Sequence, residues 1–64
     1  MSKLLTLRTK MNKSLNNVCR EVYAEYLMKV TPSTLMRWEK GGRITLAAAR
    51  TLALYYNVKV DDVA

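Results

Sequence analysis

Between Leu15 and Val30 the apolar side chains fall at Leu15, Val18, Cys19, Val22, Tyr23, Tyr26, Leu27 and Val30, in alternating steps of three and one. Residues three and four apart share a face of an α-helix, so this stripe is helical in period. Asn16, Asn17, Arg20, Glu21, Glu25 and Lys29 take the opposite side. Ser14 offers an N-cap oxygen, and no glycine or proline interrupts before Pro32. The pattern predicts one helix over residues 15–28. Tyr23, Tyr26 and Leu27 continue the stripe into a core or, together with Met28, widen it into an interface for another protein.

Shorter patterns flank this element. Leu4, Leu7 and Met11 follow helical spacing behind Ser2, an N-cap candidate, and Asn12 suits a left-handed exit, giving a first helix of about ten residues. Thr31-Pro32 is a strong helix start, a hydroxyl cap followed by proline where its missing N–H costs nothing. That third helix is expected to run to Lys40 and stop at Gly41-Gly42, with Leu35 and Trp38 inward and Ser33, Thr34, Met36, Arg37 and Lys40 outward or at the margin. Thr45 caps a fourth helix that buries Leu46, Ala49, Leu52, Ala53 and Tyr56, and Asn57 closes it. Val58, Val60 and Val63 form an apolar tail, with Asp61 and Asp62 placed for the first turn of a short fifth helix. No repeat or linker divides residues 1–64, so one all-α domain is expected.

Charge narrows the range of partners. Eleven Lys and Arg against five acids leave a net charge of +6, and Asp61 and Asp62 supply two of those acids. Such a balance points to a polyanion, nucleic acid before an anionic membrane. The single cysteine, Cys19, excludes an internal disulfide and fits a reducing cytoplasm. It lies on the apolar stripe and reads as a small core residue rather than a redox thiol. No histidine is present, no carboxylate pair sits in a pocket-forming context and no phosphate-binding glycine loop occurs, so neither an enzyme, a cofactor nor a metal site is expected. No run approaches the roughly 20 apolar residues of a membrane span, and no signal peptide is visible.

Three stretches in order carry a family resemblance. "SLNNVCREV", preceded by Leu4, Leu7, Arg8 and Lys10, "VTPSTLMRWEKG" and "LAAARTLALYYNVKVDDV" resemble the Cro/C1-type (lambda-repressor-like) helix-turn-helix regulators over nearly the whole chain. The resemblance implies a five-helix DNA-binding domain, here with an extended second helix, working in the cytoplasm of a bacterial host. It puts base-reading positions at Pro32, Ser33 and Arg37, and positions that touch phosphate at Thr31, Thr34, Lys40 and Arg43. A regulator of this kind is expected to pair as a homodimer on a two-fold operator of double-stranded DNA.

The chain also departs from the family. Pro32 has no donor where a long polar side chain is usual, and Leu15 replaces a polar residue. Between Val22 and Val30 the family has about one glycine, whereas Tyr23–Lys29 intervene here. Six extra residues continued as helix would carry its end about 9 Å onward. Two functions are therefore open: a phage-type regulator reading DNA through its third helix, or an antirepressor that docks on a phage repressor protein and covers its DNA-binding surface.

Overall fold

A computed structural model describes residues 3–63. Its elements in order are α1 (Leu4–Lys10), α2 (Leu15–Tyr26), α3 (Pro32–Glu39), α4 (Leu46–Tyr56) and a single 3-10 turn at Val60–Asp62, with no strand among the described residues. The fifth expected helix is thus one turn. Ser2, expected to cap α1, lies outside the described residues. Lys3 occupies the N-cap position without a side-chain bond, and α1 is shorter than expected.

Local chemistry sets most of the boundaries. Ser14, Thr31 and Thr45 each accept a hydrogen bond from the backbone N–H three residues on, at 3.1, 3.2 and 3.2 Å. Each satisfies an otherwise unpaired donor of the first turn. Asn12 and Asn57 adopt left-handed φ values of 56° and 58°. Behind them the amides of Lys13 and Val58 reach back to Arg8 and Ala53. These bonds close α1 and α4 with the wrap that such residues permit. Gly41 (φ +94°) does the same for α3, and the Gly42 amide bonds Arg37 O at 2.9 Å. A Cβ on Gly42 would lie 2.7 Å from that same oxygen, so the second glycine is required by close approach.

Leu4, Val18, Cys19, Val22, Leu35, Ala49, Leu52, Ala53, Tyr56 and Val63 form the core, drawn from every helix and the tail. Ala48 and Ala49 are buried and let α4 lie close to its neighbours. Leu46 was expected among them but is 61% exposed, because at the first position of α4 it overhangs the edge of the core. The radius of gyration, 10.2 Å, matches the roughly 11 Å of a fully packed chain of this length.

The one large departure from the sequence pattern lies in α2. A continuous helix was expected through residue 28, yet it ends at Tyr26 and Leu27 turns left-handed at φ 58°. The Leu27 amide still bonds Tyr23 O at 2.9 Å. Beyond it the chain reverses, and Met28 and Val30 pack against the core. Burying those two side chains outweighs continuing the rod. Leu27 is left 77% exposed as a consequence.

Candidate nucleic-acid interface and its surroundings

The third helix carries three differently occupied faces. Leu35 and Glu39 point into the protein; Thr34 and Trp38 are half-buried on one flank; Ser33, Met36, Arg37 and Lys40 are exposed on the far side. Steps of about 100° per residue place those last four on one arc, with Arg37 nearest the Thr34 flank. Pro32 and Thr31 are exposed at the start of the helix, and Arg43 is exposed just beyond its end. The chain therefore brings Ser33, Arg37 and Lys40 to one surface. Thr31 and Thr34 belong to the flank, where the Thr31 hydroxyl both caps the helix and hydrogen-bonds Thr34 Oγ1 at 2.9 Å.

The charge of this surface is set by a pair beneath it. Glu39 is buried, and Arg8 of α1 grips it with two bonds, Nε to Oε2 at 2.6 Å and Nη2 to Oε1 at 3.1 Å. A third guanidinium donor holds Lys13 O at 2.9 Å. The carboxylate raises the Arg8 pKa above its ordinary value, chiefly through these hydrogen bonds. Paired in this way, Glu39 contributes almost nothing outward. Between Leu27 and Asn57 it is the only acid, against Lys29, Arg37, Lys40, Arg43 and Arg50. The exposed side of α3 accordingly presents positive charge without an opposing carboxylate.

A second polar cluster sits behind α2. Lys13 Nζ donates to the Glu21 carboxylate and, at 3.3 Å, to the Tyr55 hydroxyl, which itself donates to Glu21 at 2.7 Å. Tyr55 is half-buried and tied into this cluster, its ring edge-on to Tyr56 at 4.9 Å. Its neighbour Leu54 is 66% exposed. The buried hydroxyl of Tyr56 has no hydrogen-bond partner among the described residues, and burial drives its pKa far up. Burial also pushes up the Cys19 thiol, with the Glu39 charge adding to it, so neither group is primed for chemistry.

The last turn of α2 stands clear of the core. Tyr23, Ala24, Glu25, Tyr26 and Leu27 are all exposed, where sequence periodicity placed Tyr23, Tyr26 and Leu27 either in the core or at an interface. Met28, grouped with them in the interface alternative, is half-buried beneath the turn. Beside this projecting tip runs an open groove of about 410 Å³ lined by Cys19, Tyr23, Lys29, Val30, Thr31, Thr34 and Trp38. Sequence reasoning did not find the groove, because it exists only once the chain reverses at Leu27. No helix among the described residues is long and apolar enough to cross a membrane.

Comparison with protein-family models, with curated proteins and with solved structures gave no match to this chain.

Proposed function

We propose that this chain is a small transcriptional regulator of the phage-switch type that binds double-stranded DNA by laying α3 in the major groove. One observation carries the reading. The exposed arc Ser33–Met36–Arg37–Lys40, with Arg43 beyond it, faces outward, and the only acid between Leu27 and Asn57 is buried against Arg8. Arg37 is the base reader, able to give two donors to the O6 and N7 of guanine, and Ser33 supports it. Lys40 and Arg43 hold backbone phosphates and fix the register. The connection from Leu27 to Thr31 is not helical, so groove entry does not have to accommodate one straight rod through Val30.

The test is binding to the DNA flanking its own reading frame, against unrelated DNA, at two salt concentrations. About five neutralised phosphates give a slope near −4.5 for log affinity against log salt. Arg37→Ala is expected to cost about 1–3 kcal/mol on the preferred sequence and little elsewhere. Affinity that never exceeds the unrelated control would end this reading.

A second reading is favoured by one feature, the projecting tip with Tyr23, Tyr26 and Leu27 exposed. Here the chain is an antirepressor that docks on a partner repressor and covers its DNA-reading surface. Such a surface is itself basic and would be repelled by the α3 side of this chain. The tip, which carries the exposed acid Glu25, is the part of the chain best suited to approach it. Co-purification of a repressor whose operator binding is thereby lost, sensitive to Tyr26→Ala and indifferent to Arg37→Ala, would select this reading.

A further inference from the structure

The tip of α2 and the groove beside it are two halves of one surface. Tyr23 belongs to both: it is exposed on the projecting turn and it lines the groove. Next to it, Tyr26 and Leu27 are 39% and 77% exposed, an aromatic and an aliphatic side chain held out on a short helical turn. The groove supplies apolar walls from Val30, Trp38 and Cys19 and space for both. A projection and a recess that lie side by side on the same face are the requirement for a two-fold, self-complementary contact.

Charge selects the occupant. Two chains of net charge +6 repel over most of their surfaces, so a second copy approaches best where an acid and a base lie on one face. The tip and the groove together are such a place. Glu25 is exposed there and makes no ion pair among the described residues, while Lys29 lines the groove. A nucleic acid would be repelled by Glu25 and has no use for Leu27. We propose that the α2 tip is a self-association surface: Tyr26 and Leu27 of one copy enter the α2–α3 groove of a second, with Glu25 of each copy against Lys29 of the other. The two Tyr23 rings meet near the two-fold axis, where offset or edge-to-face packing is available. Ser33, Met36 and Lys40 lie on a different arc of α3 and stay uncovered in the pair.

Sedimentation of the intact chain at rising concentration reads this directly. The expected result is a reversible dimer, with Tyr26→Ala and Glu25→Lys each raising its dissociation constant about tenfold or more. Both positions are exposed, and circular dichroism checks that the variants fold. The decisive arm mixes two charge variants. Glu25→Lys alone puts Lys against Lys, and Lys29→Glu alone puts Glu against Glu, so each by itself pairs at least about tenfold more weakly than the parent. Mixed one to one, they restore both opposite-charge contacts and form a heterodimer, an outcome that no pairing within one chain can produce. A chain monomeric up to about 1 mM, a dimer indifferent to both variants, or a mixture that stays monomeric overturns the proposal. So does a monomer that captures a repressor through the tip, which would pass this surface to the antirepressor reading. The DNA reading stands or falls separately. Added salt screens the repulsion between like-charged copies and strengthens pairing, whereas it weakens binding to phosphate.

Discussion

Glu39 shows how one residue can serve both the fold and the surface above it. Its carboxylate lies on the buried side of α3, with its side chain 3% exposed and that of Arg8 16% exposed. Removing one partner leaves the other charge buried and unsatisfied, which costs far more than the pair contributes as a whole. Arg8→Met is therefore expected to lower unfolding free energy by about 3–5 kcal/mol. Adding Glu39→Leu to that variant should recover much of the loss, because two well-packed apolar side chains can replace a buried ion pair. Denaturant titration of the two variants measures both steps; an equal loss in single and double would assign the cost to packing instead of charge. The same double variant keeps Arg37 and Lys40 exposed, so its affinity for DNA should fall little where the fold survives. The two residues lie 31 positions apart. Each is visible in the sequence, Arg8 in the first helix and Glu39 in "RWEKG", but no local rule pairs them.

At the scale of elements, what was legible followed from short-range chemistry. Ser14, Thr31 and Thr45 cap their helices where the sequence placed them, and Asn12, Gly41 and Asn57 take the left-handed exits. Each depends on one side chain and the next few backbone groups. The end of α2 depends on something else. Tyr26, Leu27, Met28 and Lys29 are all compatible with a helix, and nothing among them signals a stop. The stop comes from burying Met28 and Val30 against a core that α1 and α4 help to build, and periodicity within one segment cannot register that. The consequence for the site is large, since the groove, the exposed tip and the corner before α3 all follow from it. Leu27 bears the strain. A non-glycine residue in the left-handed region costs about 1–2 kcal/mol, partly offset for glycine by its greater freedom in the unfolded chain. Leu27→Gly should accordingly stabilise the monomer by about 0.5–1 kcal/mol in thermal or denaturant unfolding while weakening self-association. Were α2 to run straight through this position, the same change would place glycine inside a helix and destabilise it by a similar amount.

For the molecule as a whole, the contacts that join distant parts of the chain are polar as well as apolar. Lys13, in the turn after α1, Glu21 on α2 and Tyr55 on α4 meet in one cluster, with the Lys13 ammonium 5.6 Å from the centre of the Tyr55 ring. The Lys13 hydrogen bond holds the Glu21 carboxyl below its ordinary pKa of 4.5, with the Tyr55 hydroxyl adding to it. A carboxylate whose pKa is lower folded than unfolded binds protons more tightly when unfolded, so its contribution is fully present above the unfolded value and is lost as pH falls through the folded one. Stability of the intact chain should therefore decline as pH drops below about 4.5, the ordinary value from which Glu21 is displaced. Glu21→Gln removes that carboxylate and should flatten this part of the acid limb while leaving stability at higher pH lower than in the parent. Unfolding measured as a function of pH for the two proteins checks it. If both curves fall in parallel through the acid range, the cluster contributes nothing that depends on the Glu21 charge, and the link between α2 and α4 rests on the Tyr55 ring alone.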